Sequence, residues 1–322
     1  MTRAALLHKF RRCALEEDPA AAARMLAVFR IVLGTALLWQ ALVTAQDLPL
    51  LVSQFGLIQG TLNEALAADV LPRVAWFVPA PSPAWLAEKH VIYGLLSLYL
   101  ISLFFLTVGY KTKLFGAASL FFHLLFKASG AASAYGAHEL STSALFFCLI
   151  LPVDRFYSVS ARGPVFLPDT LDIGRFGLRA YMSLVYVSSG IEKLLGAPWR
   201  NGEAMWNFLM RPEVTVMDFG WLSQAPWLAL LGSWAVLVIE IGYGLCLVAP
   251  RARLWWLVGT FLLHFGIAIT ANLWFFSFTM MALNIAALAG SPRWELPPLA
   301  RHFGARLLEV VRPRPVSGEA TS

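Results

Sequence analysis

Long apolar stretches alternate with short polar connections along most of this chain. A helix crosses the hydrocarbon core of a bilayer with about 20 mostly apolar residues, and eight stretches are read as such spans. They cover residues 25–45, 90–109, 114–134, 138–153, 180–197, 227–249, 254–272 and 273–290. The third, fourth and fifth are short or interrupted by polar residues, and only Asn272 and its neighbours separate the last two. The pattern predicts an all-α, polytopic transmembrane helix bundle of about eight spans.

The composition agrees with a chain surrounded by lipid. Of its 322 residues, 58% are hydrophobic and 14% are charged, and the mean hydropathy is +0.66. Soluble domains carry about 25% charged residues, so a soluble enzyme of this length would lack the charge to cover its surface. The three cysteines form no disulfide framework. We therefore expect the lipid bilayer as the partner of this chain.

The basic residues indicate how the chain crosses the membrane. With a cytoplasmic N-terminus and eight alternating spans, 18 of the 25 Lys and Arg residues fall in inner segments and only five in outer ones. Membrane proteins concentrate basic residues in cytoplasmic loops. The bias predicts a multi-pass protein of the cell membrane with both termini in the cytoplasm. The net charge of +6 is explained in the same way, and no nucleic acid is expected as a partner.

The predicted spans divide the chain into three parts. Residues 1–24 form a basic cytoplasmic segment, residues 25–290 the transmembrane domain, and residues 291–322 a polar cytoplasmic tail. The longest outer loop, residues 46–89, is rich in apolar residues and is predicted to hold short interfacial helices. The first apolar stretch starts late and contains Arg30, which favours an uncleaved first helix over a signal peptide.

Ionisable residues inside the predicted spans are candidates for function. A charge at the bilayer centre costs about 2.5–3.5 kcal/mol on insertion scales, so it is expected to face the bundle interior. The main residues of this kind are Arg30, Lys127, Glu192, Lys193, Glu240 and His264. Glu240 and His264 lie near the middle of two helices joined by a short turn, so we expect them to meet. Their contact would be a packing hydrogen bond or a site for a polar head group or a proton.

Lys193 shares one helix face with Tyr186 and Gly190, because the three stand at positions i, i+4 and i+7. Gly190 would allow a neighbouring backbone or a ligand to approach this face. Lys193 is then either an anchor that reaches the outer interface or a base in a pocket of low dielectric. His138 is placed at the same outer depth, as a solvated residue at a helix start or as a proton partner of Lys193. No set of His, Cys, Asp or Glu has the spacing of metal ligands.

Several stretches resemble, in the same order, a known family of membrane domains. Residues 186–194, followed by Trp199 and Gly202, resemble the central motif of the HTTM (horizontally transferred transmembrane) domain. This family includes the membrane part of vitamin K-dependent gamma-carboxylase. Residues 30–34, 138–158 and 240–280 resemble its first helix, its His-containing helix and its final helices.

The resemblance implies an active site at the outer leaflet, with a reduced quinone as the co-substrate. It implies Lys193 as the base and His138 as an assisting residue, which are our candidate catalytic residues. The candidate substrate-binding residues are Tyr186, Gly190, Trp199, Glu240 and His264. Two functions stay open: a carboxylase-like enzyme of lyase or oxygenase type acting on a quinone-like or peptide substrate, or a non-catalytic protein that binds or escorts a small hydrophobic molecule or peptide. A transporter is disfavoured, because no inverted repeat is found.

Overall fold

The computed structural model describes residues 19–58, 60–78, 84–160, 168–212 and 215–290. Within these ranges the chain is helical and contains no strand. Most of the predicted N-terminal segment, and the predicted tail after residue 290, lie outside the described residues. The eight long helices are α1 (Pro19–Val43), α2 (Ala84–Val108), α3 (Thr112–Ser129), α4 (Gly136–Ile150), α5 (Pro168–Leu195), α6 (Trp227–Gly242), α7 (Arg253–Ala271) and α8 (Trp274–Leu288).

Each of the eight predicted stretches is helical, but several boundaries differ. Helix α5 begins twelve residues before the predicted position 180, because polar residues in its first half are buried against other helices. The predicted helix 227–249 is divided, since α6 ends at Gly242 and a short helix, Leu245–Val248, follows. Three helical segments are long and apolar enough to cross a membrane: Pro19–Val43, Glu88–Val108 and Pro250–Ala271.

Helix α8 lies at the centre of the bundle, and most of its side chains are buried. It packs against α1, α4, α5 and α7. Helices α1 to α4 pack in sequence on one side, while α5 and α6 pack together on the other. The turn between α7 and α8 is tight because Asn272 adopts a left-handed conformation with φ 55°, which asparagine tolerates better than most residues. This hairpin confirms the short connection predicted at Asn272.

Basic side chains bind backbone carbonyl groups at the C-terminal ends of α4 and α8. Arg30 donates to Val153 O at 2.9 Å, and Lys113 donates to Leu151 O at 2.7 Å just beyond α4. The last carbonyls of a helix have no partner within the helix and carry partial negative charge, so cations stabilise them. Arg30 is fully buried in this arrangement, as expected for an ionisable residue inside a span.

Two arginines in the first half of α5 bind the carbonyl groups at the C-terminal end of α8 in the same way. Arg175 donates to Ala286 O at 3.0 Å and to Ala289 O at 2.5 Å, and Arg179 donates to Ala287 O at 2.9 Å. In the predicted topology both arginines lie in an inner loop that precedes the fifth span. They are instead fully buried helical residues, because the end of α8 offers them carbonyl acceptors that the sequence pattern does not reveal.

The segment between α1 and α2 contains the predicted short helices, at Leu48–Val52 and Gly60–Leu66, and a 3₁₀ helix at Val74–Phe77. Two buried polar side chains hold it on the bundle. Glu88 of α2 accepts hydrogen bonds from the Ser53 hydroxyl at 2.5 Å and from the Gln54 backbone N–H at 2.9 Å. Asn63 donates to Leu51 O and accepts from the backbone N–H of Ala132. The helix Leu48–Val52 is thereby fixed over the end of α1.

Candidate functional site

A cavity of about 190 Å³ lies between α1, α2, α3 and α4, at the end of the bundle where α1 and α3 finish. The helix Leu48–Val52 and Phe275 of α8 complete its wall. Most of the lining is apolar, which is typical of sites for small molecules, where a few polar groups orient the ligand. Polar side chains in the wall include those of Tyr99, His123, Lys127, Tyr135 and His138.

His123 belongs to the wall of this cavity, but both of its ring nitrogens are engaged. Its Nε2 donates to the backbone oxygen of His138 at 3.0 Å, which fixes the proton on Nε2 in the neutral ring. Its Nδ1 then accepts from the hydroxyl group of Tyr99 at 3.2 Å. His123 therefore links α2, α3 and α4 and has a structural role.

His138 occupies the first turn of α4 and stacks on His123, with ring centroids 6.1 Å apart and planes 22° apart. Its Nδ1 accepts from the backbone N–H of Tyr135 at 3.3 Å, which completes a capping box at the helix N-terminus. Phe275 packs edge-on against the same ring at 5.7 Å. The ring is half-buried and lines the cavity, so His138 caps the helix and also belongs to the site.

Two further groups set the charge of the cavity rim. Lys127 Nζ lies 2.6 Å from Glu139 Oε2, so this lysine of α3 is neutralised by a carboxylate of α4. Partial burial raises the pKa of the Tyr135 phenol, which keeps it neutral over the physiological range. The rim therefore carries no uncompensated charge.

A second polar site lies between α5 and α6. Lys193 Nζ contacts both carboxylate oxygens of Glu240, at 2.9 and 2.8 Å, and also the hydroxyl oxygen of Ser189 at 2.5 Å. The ring of Trp199 lies 5.4 Å from the same ammonium group, in a cation–π arrangement. Lys193 is thus held by three residues, and Glu192, which is exposed, is not one of them.

Gly190 is the place where α5 and α6 approach most closely around this pair. A Cβ atom added to Gly190 would lie 3.0 Å from the backbone nitrogen of Ile241 and 2.7 Å from its Cγ1. The absence of a side chain therefore permits the contact, as the sequence predicted for a neighbouring backbone. Just beyond α5, Arg200 O accepts a hydrogen bond at 3.2 Å from the indole of Trp234 in α6.

A buried hydrogen-bonded chain of side chains crosses the bundle next to this pair. The Tyr243 hydroxyl donates to Asn284 Oδ1 at 2.9 Å, and Asn284 Nδ2 donates to the Tyr186 hydroxyl at 2.8 Å. The Tyr186 hydroxyl lies 2.7 Å from His264 Nε2. The rings of Tyr186 and Tyr243 stack with centroids 4.4 Å apart. We call these four residues, from α5 to α8, the tyrosine–asparagine network.

The contacts of the candidate residues differ from those that the sequence predicted. Glu240 binds Lys193 and His264 binds Tyr186, in place of the expected contact between Glu240 and His264. His138 lines the cavity, whereas Lys193 does not. The two candidate catalytic residues therefore do not share the described cavity. In the described part of the chain, no group of three or more His, Cys, Asp or Glu could hold a metal ion.

Sequence reasoning missed two members of the network, Tyr243 and Asn284. Both are fully buried, and Asn284 is an isolated amide in an apolar helix. Only ionisable residues inside the spans were taken as candidates, and neutral polar ones were left out. Burying an unpaired amide in hydrocarbon is also costly, so a buried asparagine likewise indicates a hydrogen-bond partner. Asn284 was therefore detectable, while its partners depend on how the helices are rotated.

Comparisons with protein-family models, with curated proteins and with solved structures find no match for this chain. The resemblance to the HTTM domain accordingly stays a prediction from the motifs.

Proposed function

We propose that the chain is an HTTM-like protein of the cell membrane, with eight spans and both termini in the cytoplasm. The two ends of the bundle support this orientation by their chemistry. Arg30, Lys113, Arg175 and Arg179 bind carbonyls where α4 and α8 finish, and this is the end at which basic residues are expected to face the cytoplasm. The cavity lies at the opposite end, which is then the outer leaflet.

Cysteine labelling of intact cells tests this topology. Cys148 and Cys246 are buried, so a Cys13→Ser chain offers a low background for single added cysteines. A membrane-impermeant maleimide should label Leu57→Cys, which replaces a residue that is 82% exposed, on intact cells. Arg251→Cys, at an exposed position between α6 and α7, should react only after permeabilisation. Equal labelling of both variants on intact cells would contradict the topology.

We propose further that the protein binds a small, mostly apolar molecule in the cavity, reached from the outer leaflet. The observation that carries this proposal is the cavity itself, an apolar space between helices with one imidazole available at its wall. The quinone-like class implied by the HTTM resemblance fits this description. Binding or escort of such a molecule needs no reaction, and Lys193 then stabilises the bundle through Glu240.

Filling the cavity tests this function. We expect purified wild-type protein in lipid nanodiscs to retain specific small molecules, detected by native mass spectrometry. Ala134→Phe places a ring into the cavity wall and should remove them, because ligand and ring would compete for about 190 Å³. Ala197→Phe, at an exposed position, is the matched control. Equal retention by both variants would contradict the proposal.

The carboxylase-like enzyme is the second proposal, and the contact between Lys193 and Glu240 favours it. Glu240 Oε2 lies 2.8 Å from Nζ, so the two groups are within the hydrogen-bond distance that proton transfer between an acid and a base requires. In this proposal a reduced quinone would have to reach the α5–α6 site rather than the cavity. The variants of Lys193 described in the Discussion separate the two functions.

A further inference from the structure

The polar wall of the cavity includes two stacked histidines, of which only His138 has a ring nitrogen left for a ligand. The side chains of Gln40, Lys127 and Tyr135 also line it. Both nitrogens of His123 are used by Tyr99 and by the His138 backbone. The Lys127 ammonium is bound by Glu139 at 2.6 Å. The His138 ring is held in place by its stacking and by the helix cap, and it is the group that we expect the head group of a bound molecule to contact.

The helix cap determines which hydrogen the His138 ring presents. A backbone N–H can only donate, so His138 Nδ1, 3.3 Å from the nitrogen of Tyr135, is the acceptor and carries no proton. A neutral imidazole has one N–H group, which must then be on Nε2. Nε2 has no hydrogen-bond partner among the residues that the structure describes. The cap therefore leaves His138 with one free hydrogen-bond donor, the Nε2–H group, at the cavity wall.

We propose that His138 selects the ligand by its head group, and that the ligand carries an uncharged oxygen acceptor, such as a carbonyl, on an apolar skeleton. This inference rests on the proposed binding function and names the chemistry of the same site. A ligand whose only polar group is a donor would find no acceptor on the His138 ring, because Nδ1 already accepts from Tyr135. A carboxylate would bring a net charge, because the rim cation Lys127 is already neutralised, and an unpaired buried charge is costly.

The cavity volume sets the size of suitable probes. An engineered protein cavity of about 150 Å³ binds benzene, and the present cavity is slightly larger, at about 190 Å³. A single ring with a two-carbon substituent matches this space. Acetophenone and ethylbenzene share such a skeleton and differ in the carbonyl oxygen, while 1-phenylethanol carries a hydroxyl group at the same position.

Ligand-detected NMR titrations in nanodiscs provide the test, with Ala134→Phe as the reference for partition into lipid. We expect acetophenone to bind wild-type protein roughly five- to tenfold more tightly than ethylbenzene, since one net hydrogen bond is gained, with 1-phenylethanol between them. His138→Leu removes the donor and should reduce this affinity ratio to about one. His138→Gln should preserve it, because glutamine at the third helical position can accept from the cap N–H and still donate.

Three results would overturn the inference. A ratio of about one in the wild-type protein would show that no donor selects the head group. An unchanged ratio in folded His138→Leu protein would place the selection elsewhere. If neither probe binds the wild-type protein more tightly than Ala134→Phe, the proposed binding function itself fails, and the inference fails with it. The first two results leave cavity binding intact, so the two failures are distinguishable.

Discussion

Replacing Lys193 with methionine should destabilise the folded bundle by about 3–5 kcal/mol, the usual cost of removing one partner of a buried ion pair. Methionine is more compatible with hydrocarbon than lysine, so a lysine that merely anchored the helix at the interface would be replaced at little cost. In this structure, however, Glu240 is 8% exposed and has Lys193 as its ionic partner. Without the ammonium group its charge stays in the bundle uncompensated.

Unfolding titrations of the reconstituted protein measure this effect, and a double-mutant cycle isolates it. Lys193→Met with Glu240→Met should recover most of the lost stability, because a buried pair can be replaced by apolar residues at little cost. Glu192→Gln, next to Lys193 but exposed, is the matched control and should have almost no effect. A Lys193→Met protein as stable as the wild type would show that Lys193 reaches solvent and that the pair is unimportant.

The double variant also separates the two proposed functions. It keeps the bundle folded while it removes the amine that the carboxylase-like proposal requires. An enzyme with Lys193 as its base should lose turnover in this variant, while a binding protein should retain the molecule bound in the cavity. Retained turnover would exclude Lys193 as the base.

The helices were predictable from the sequence, because an uninterrupted apolar stretch in lipid can satisfy its backbone only as a helix. The shared face of Tyr186, Gly190 and Lys193 was predictable for a related reason, since it follows from helical periodicity alone. The residues that contact this face were not predictable. Whether Lys193 or His264 meets Glu240 depends on the rotation and depth of neighbouring helices, which the spacing within one helix does not fix.

The burial of two arginines could not be predicted from the sequence either. Arg175 and Arg179 interrupt the apolar pattern, so the pattern places them in a loop before α5. Their burial depends on the C-terminal carbonyls of α8, more than 100 residues further along the chain. The cavity was equally hidden, because its wall combines six helices. Of the residues in that wall, His138 was recognised through its position at a helix start and Lys127 as a charge inside a predicted span.

Replacing Asn284 with leucine should destabilise the bundle by about 2–3 kcal/mol, since the buried Tyr243 hydroxyl would lose its acceptor. Asn284 joins three helices: it accepts from Tyr243 of the α6 end, donates to Tyr186 of α5 and donates to Met280 O within α8. Leucine keeps the branched skeleton of asparagine at Cγ, so the loss reports mainly the missing hydrogen bonds. Unfolding titrations of reconstituted protein provide the measurement.

Two companion variants make the result specific to the tyrosine–asparagine network. Ser277→Ala on the same helix removes a fully buried hydroxyl that has no hydrogen-bond partner among the described residues, so it should change the stability little. Tyr243→Phe combined with Asn284→Leu should cost less than the sum of the two single changes, because the orphaned hydroxyl is gone. If Asn284→Leu costs no more than Ser277→Ala, the network does not hold α5, α6 and α8 together. A large and non-additive cost would make it the polar element that fixes the rotation of α5, and with it the position of Lys193 against Glu240.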